Sequence, residues 1–491
     1  MSKSKTSTPR EMTTGRALFG FLAPILLLIA LIFAGADVTI AVLAAVFLMV
    51  IYGAYMNFSW DTMEKAMSSG IGTIATATVI MLLVGCMVAS WMASGCIPTL
   101  LYYGLQVISP KIFLPICFLL PAFMSVCCGT SWGSISTIGV VLCGMAAGLG
   151  IPVGIAAGAV ISGSFFGDKM SPLSDTTLLA AATSEVPVFT HITSMFYTTV
   201  PCTLIALVLY IFLGINASGN IDTVAIAALT NGLSSNFNIN VLNLLPVVLV
   251  LVLSVKKVPA FITFGIGIGA GMIGSMVMQG YSFMDNLNFI MNGFSTDSGV
   301  EAVNTLVNRG GLTSMLFLVG ILLACGMLSG LFTETKVLTV LVGGILRRVK
   351  SPAGILIGVM LSSLVLCIAG GQYPAIAIPA VAFKDACDEM DINRAVLSRT
   401  LEDVGTMVAA IVPWSAWVIG YGVLLGTTVR DFIPFTFLCI LSPIVALVNI
   451  LLGIGLFRSS DEVKYRPFWR RPKAELVKAH IASHGKRGGC R

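Results

Sequence analysis

The chain has 491 residues, of which 57% are hydrophobic and 10% charged, and its mean hydropathy is +0.97. A soluble fold of that composition would leave large apolar areas in water, so the sequence predicts an all-α polytopic membrane protein. The net charge of +6 does not point to nucleic acid, because ten basic residues lie between Arg458 and Arg491 and four more in the first sixteen positions. That is the distribution expected of cytoplasmic ends.

In chain order, apolar stretches lie near residues 17–35, 38–56, 72–94, 191–214, 239–255, 261–280, 312–331, 353–369 and 432–457. Each is long enough, at about 1.5 Å per residue, to cross a hydrocarbon core of about 30 Å. The first, Ala17 to Gly35, lacks a small-residue cleavage site and is soon followed by another, so it reads as a retained helix. Trp60 to Gly70 reads as a short amphipathic interfacial segment. With the N-terminus inside, the Ser109-Pro110-Lys111 loop falls outside. Lys256-Lys257, Arg347-Arg348-Val349-Lys350, the loop from Lys384 to Arg394 and the basic tail fall inside, provided Gly370-Gly371 is a turn between two crossings.

The expectation is therefore a multi-pass protein of the inner membrane with about eleven to fourteen membrane-crossing segments and both termini cytoplasmic. It divides into an N-terminal tail (1–16), a first transmembrane repeat (17–220), a second, inverted repeat (221–457) and a basic C-terminal tail (458–491). The repeat is weak but ordered. Asn57-Phe58-Ser59-Trp60-Asp61 returns as Gly280-Tyr281-Ser282-Phe283-Met284-Asp285, and Ser109-Pro110 returns as Ser351-Pro352. Each Ser-Pro leads into an apolar span and then a glycine-marked break, Gly129-Thr130-Ser131 in one half and Gly370-Gly371-Gln372 in the other. Gly167-Asp168 and Gly405-Thr406 follow at similar spacing, as expected for a duplicated transporter with discontinuous helices.

The segment from Ser162 to Leu178 places two carboxylates and several hydroxyls in a stretch otherwise apolar enough to be buried. An ionised carboxylate at membrane depth costs about 2.5–3.5 kcal/mol even on the lenient insertion scale, so it faces a partner, a cavity or an ion. Pro172 removes an amide donor and disfavours helical geometry at Ser171, which predicts a helix break between Asp168 and Asp175. Hydroxyls, freed carbonyls and a carboxylate are hard oxygen ligands suited to a small alkali cation. Asp175, flanked by Ser174 and Thr176, is the first choice of Na+ ligand, with Asp168 as a second titrating group and Ser171 beside it. One carboxylate holding either Na+ or a proton suffices for obligate exchange. Lys169 reads either as the counter-charge to Asp175 or as part of a structural pair with Asp168.

Thr130, Ser131 and Gln372 mark the other breaks, where half-helix N-termini meet ions or anionic groups. Glu402 and Asp403, with Thr406, either complete the site or cap a helix at the cytoplasmic surface against Arg394 or Arg399. His191 is expected to cap a helix at the interface, with a pH-sensing role as the alternative. The twelve cysteines are read as apolar packing residues. Gly269-x-Gly271-x-x-Gly274 lies within an apolar span with no preceding strand and is not a nucleotide site. An aspartyl protease built on Asp168 and Asp403 would lack the glycines that flank such aspartates, so an enzyme is not expected.

Tyr102-Tyr103-Gly104, Gly129-Thr130-Ser131-Trp132-Gly133, the run from Gly163 through Gly167-Asp168-Lys169-Met170-Ser171-Pro172-Leu173-Ser174-Asp175-Thr176-Thr177, Tyr197-Thr198-Thr199-Val200-Pro201 and Leu401-Glu402-Asp403-Val404-Gly405-Thr406 together resemble the NhaC family of Na+/H+ antiporters. The resemblance spans nearly the whole chain. It implies a secondary transporter of the ion-transporter superfamily, with Na+ and H+ as coupling ions, the lipid bilayer as its environment and no cofactor. The family also includes malate/lactate antiporter-like and amino-acid carrier-like members, so a small carboxylate or amino acid is the alternative substrate, and a homodimer is an admissible assembly. Leu178 departs from the family pattern, which implies Asn there.

Overall fold

The computed structural model describes residues 9–107, 110–217, 223–256 and 258–470. Ser109, Lys257, the 220/221 boundary between the two expected repeats and the tail beyond Arg470 lie outside the described residues.

The described residues form helices throughout. The first ten are α1 (Thr14–Phe33), α2 (Val38–Tyr55), α3 (Trp60–Ala93), α4 (Cys96–Val107), α5 (Pro110–Cys128), α6 (Ser131–Ser134), α7 (Val140–Gly148), α8 (Val153–Met170), α9 (Asp175–Thr183) and α10 (Val188–Ala217). A π-helical turn, Ile135–Gly139, joins α6 to α7. Next come α11 (Thr223–Asn236), α12 (Leu245–Val255), α13 (Ala260–Gly274), α14 (Phe283–Asn292) and α15 (Glu301–Val307). The remainder are α16 (Leu312–Glu334), α17 (Val337–Leu346), α18 (Pro352–Gly370), α19 (Gln372–Glu389), α20 (Arg394–Ala409), α21 (Ala416–Leu425), α22 (Val429–Phe432) and α23 (Phe437–Leu452).

Nine helices among the described residues are long and apolar enough to cross a membrane, or eleven when two bent pairs are each taken as one span. The pairs bend by 91° between residues 236 and 241 and by 48° between residues 435 and 437. Eleven is the lower edge of the expected range, because the polar helices that flank the breaks are too short or too polar to count as spans.

Local chemistry sets the helix starts. Ser59 Oγ accepts the amide of Thr62 at 3.2 Å to open α3, and Ser351 Oγ accepts the amide of Gly354 at 3.1 Å with Pro352 at the first helical position of α18. The order of elements recurs. A long helix, a short one, a Ser-Pro helix, a break, a two-helix hairpin and a second break occur as α3 to α9 and again as α16 to α21.

The two long helices, α3 and α16, pack directly on each other. At their crossing, a Cβ on Gly70 would lie 2.0 Å from the carbonyl oxygen of Gly326, and one on Gly330 would lie 2.0 Å from that of Ala66. Only glycine permits that approach, as small residues do at membrane helix crossings.

Two expectations are corrected. Trp60 to Gly70 is not a separate interfacial segment but the first turns of the continuous helix α3, held in line by the contact with α16. Gly405-Thr406 is not a break either, since α20 runs on to Ala409 and the chain leaves helical geometry around Pro413, which has no amide to donate. The equivalent of the Ser171-Pro172 break is thus the Val412-Pro413-Trp414 turn.

Candidate functional site

The predicted break between Asp168 and Asp175 is present. Helix α8 ends at Met170, Ser171 is extended, and α9 begins at Asp175. Ser171 Oγ donates to the carbonyl of Val126 at 2.7 Å and also accepts the amide of Leu173 at 3.2 Å. Ser171 therefore ties the break to α5. Gly129, at φ +70°, sits so close to Leu173 that a Cβ would lie 2.7 Å from the Leu173 backbone. The two breaks of the first half thus cross in contact, and the second half repeats the arrangement, with Trp414 Nε1 donating to the carbonyl of Ile368 at 3.3 Å.

At the first crossing, the buried carboxylate of Asp168 receives one hydroxyl from each break. Ser131 Oγ donates to Oδ2 at 2.9 Å, and Ser174 Oγ donates to Oδ1 at 2.6 Å. Ser174 and Thr176 hydroxyls lie 3.0 Å apart. Thr177 Oγ1 donates to the carbonyls of Asp168 and Lys169, both at 3.0 Å, satisfying acceptors that the end of α8 leaves open. Thr130 caps α6 through the amide of Gly133 at 3.4 Å and frames the site without joining it.

The structure places Ser174 and Thr176 with Asp168. Asp175, the first position of α9, is exposed, within electrostatic reach of Asp168. Alternate positions at a helix start point different ways, which is why the buried hydroxyls and the acid between them separate. Gln372, at the start of α19, lies near enough to Asp168 for its side-chain amide to act on the carboxyl as a hydrogen-bonding group, and its buried Nε2 has no other partner. A cavity of ≈ 90 Å³ reaches the second-half break and is lined there by Gly371, Trp414, Ser415 and Trp417.

Lys169 pairs with neither Asp168 nor Asp175. Its Nζ reaches across to α20 and forms an ion pair with Asp403, with both side chains almost fully buried. Ser442 of α23 completes the group, lying 3.1 Å from both Lys169 Nζ and Asp403 Oδ1, and Thr198 of α10 lies 3.4 Å from Nζ. Removing two ions from water is expensive, and the added hydroxyls help to offset it.

Glu402 and Asp403 are fully buried in the middle of α20, so their reading as a surface helix cap is corrected. Thr406 Oγ1 donates to Glu402 Oε2, and Glu402 Oε1 has no partner. Arg399 bonds the Ser194 carbonyl at 3.2 Å and lies 5.7 Å from the Tyr197 ring centroid. His191 is not an interfacial cap: it is wholly buried, with Nδ1 2.8 Å from Ser398 Oγ.

Sequence reasoning did not anticipate Ser442, Thr198 or Thr177. The available signal was a hydroxyl inside an otherwise apolar helix, as Ser442 is in α23.

At the surface end of α10, Glu185 binds Lys384 at 2.7 Å and also Arg394, which in turn binds Asp388 at 2.7 Å. Hydrogen bonds from Lys384 and Arg394 hold the Glu185 carboxyl below its usual range. This exposed cluster links the loop after α9 to α19 and α20.

Among the described residues no group of three or more His, Cys, Asp or Glu is arranged to hold a metal ion. The donors around Asp168 are hydroxyls and a carboxylate, the set that suits a weakly held alkali cation as cargo.

The model of a family described as the Na+/H+ antiporter family matches residues 9–181 and 163–454. The chain is 36% identical over 408 residues to the Na+/H+ antiporter NhaC of Alkalihalophilus pseudofirmus, covering 83% of this chain and 88% of that protein. It is 34% identical over 410 residues to the malate-2H+/Na+-lactate antiporter of Bacillus subtilis, covering 83% and 87%. It is 33% identical over 410 residues to the arginine/ornithine antiporter ArcD of Halobacterium salinarum, covering 83% and 84%. With the family model spanning nearly the whole chain and relatives this similar over most of their length, the chain belongs to the Na+/H+ antiporter family.

Proposed function

We propose that this chain exchanges Na+ for H+ across the cytoplasmic membrane by alternating access, with Na+ held at Asp168 between Ser131, Ser174 and Thr176. The observation that carries the reading is the Asp168 carboxylate, buried where two helix breaks meet and hydrogen-bonded by one hydroxyl from each. Dehydrating Na+ requires several oxygens at once, and this broken-helix crossing supplies a carboxylate and hydroxyls without a rigid cage. Asp175, exposed at the edge of the break, attracts the cation on entry. The repeats 17–220 and 221–457 act as inverted halves, and the recurrence of helix order from α3 to α9 and α16 to α21 supports this. Both termini lie in the cytoplasm, in keeping with their basic residues. Exposed apolar residues such as Phe19, Phe47, Phe123 and Phe212 face lipid.

The purified protein in proteoliposomes carrying a pH-sensitive dye tests the reading. A Na+ pulse acidifies or alkalinises the lumen according to gradient direction, and protein-free vesicles do not respond. Absence of any Na+-dependent pH change from reconstituted wild-type protein rejects it.

A second reading, antiport of a small organic acid or amino acid, is favoured by the relatives named for such exchange. Lys169, the basic side chain nearest the break, weighs against a carboxylate substrate because it is already paired with Asp403. Uptake of labelled malate, lactate and amino acids with and without a Na+ gradient separates the two.

A further inference from the structure

The buried charges around the broken helices do not balance. Two cations, Lys169 and Arg399, are buried with three acids, Asp168, Glu402 and Asp403. With every group ionised, this core carries one negative charge in excess. A low-dielectric interior strongly disfavours an uncompensated charge, so the core takes up one monovalent cation or one proton.

The three acids differ in what stabilises their charged form. Asp403 is paired with Lys169 and accepts from Ser442. Asp168 accepts two hydroxyl hydrogen bonds, from Ser131 and Ser174. Glu402 has one donor, Thr406, and forms no ion pair among the described residues; its Oε1, like Oδ2 of the paired Asp403, is buried with no partner. Glu402 is therefore the acid whose ionised form this core supports least.

We propose that Glu402 carries the exchanged proton, and that Na+ at Asp168 and H+ on Glu402 exclude each other because either one alone neutralises the buried core. The proposal rests on the Na+/H+ reading above. When Na+ enters beside Asp168, the Glu402 O–H bond breaks, its electron pair stays on the carboxylate, and the proton leaves to the side then open. One cation has replaced one proton, and the buried charge is unchanged.

The other titratable groups that the packed elements bring to this region do not alter the balance. Asp175 of α9 is exposed and is therefore not counted with the buried groups. His191 of α10 is wholly buried, with Nδ1 against Ser398 Oγ and Nε2 without a partner, and counts as neutral. Tyr197 of α10, Tyr373 of α19, Tyr421 of α21 and the thiols Cys202 of α10, Cys367 of α18 and Cys439 of α23 are groups that are uncharged at neutral pH.

The test is proton release on Na+ binding, measured with purified protein in weakly buffered detergent solution, with bound 22Na+ counted in parallel. Wild type is expected to release close to one proton per Na+ bound, and its apparent Na+ affinity is expected to fall as pH falls. Glu402→Gln is expected to bind Na+ at least about tenfold more weakly, to release almost no proton and to lose the pH dependence of binding, whereas Glu402→Asp restores proton release. Size-exclusion behaviour and thermal unfolding of each variant establish that it is folded. Undiminished, pH-dependent proton release from folded Glu402→Gln overturns the assignment. Na+ binding by wild type without any proton release overturns the mutual exclusion, and no Na+ binding by wild type rejects the parent reading instead.

Discussion

Lys169 at the end of α8 and Asp403 in the middle of α20 are joined by a fully buried ion pair, so a cation from one half of the chain is neutralised by an acid from the other. The pair lies one residue from Asp168 and one residue from Glu402 along their helices. Movement of either helix during transport is thus felt by both groups of the proposed exchange.

Breaking this pair from one side leaves a buried charge uncompensated. Lys169→Met or Asp403→Asn alone is expected to lower stability by about 3–5 kcal/mol, and Lys169→Met with Asp403→Leu to recover most of the loss. Thermal unfolding in detergent for the two single variants and the double variant measures the coupling; additive losses contradict a direct pair.

Each hydroxyl on Asp168 contributes a hydrogen bond to a charged group, a class of interaction worth about 1.5–3 kcal/mol. Ser131→Ala and Ser174→Ala are each expected to weaken Na+ binding by roughly ten- to a hundredfold. Ser171→Ala, whose hydroxyl bonds Val126 instead, is expected to lower stability with a smaller effect on Na+ affinity. Na+ titrations of proton movement for the three variants provide the comparison.

The α3–α16 crossing has no room for side chains at Gly70 and Gly330. Gly330→Leu is expected to prevent a stable fold, while Gly343→Ala, where a Cβ meets nothing within 4 Å, is expected to be tolerated. Expression and monodispersity on size exclusion distinguish them.

The Glu185 cluster gives a pH dependence whose sign follows from its direction. The folded-state pKa lies below the ordinary glutamate value of 4.5 because Lys384 and Arg394 hydrogen-bond the charged form. The contribution to stability is therefore complete above about pH 4.5 and is lost as pH falls through the lowered value. Glu185→Gln is expected to remove that acid-range component of the melting temperature and to leave stability near neutrality little changed, because exposed ion pairs contribute little. A melting curve against pH for wild type and variant checks this.

The spans were legible because apolar runs of membrane length have few alternatives, and the break at Ser171-Pro172 because proline cannot donate. The wiring of charges was not. Sequence spacing placed Asp175 beside Ser174 and Thr176, but only the direction of the first turn of α9 shows that the hydroxyls turn toward Asp168 while Asp175 is exposed. The partner of Lys169 lies 234 positions away on α20, and no local pattern carries that information. Likewise Gly405 resembles a break in sequence and yet is helical, because the residue that cannot donate is Pro413 further on.

The placement of Na+ at Asp168 is tested most directly by comparing Asp168→Asn and Asp175→Asn in the same vesicle preparation, following the pH change on Na+ addition. Asp168→Asn is expected to abolish Na+-dependent proton movement, and Asp175→Asn to slow it while preserving exchange at saturating Na+. Wild-type exchange by folded Asp168→Asn, or abolition by Asp175→Asn alone, contradicts the account.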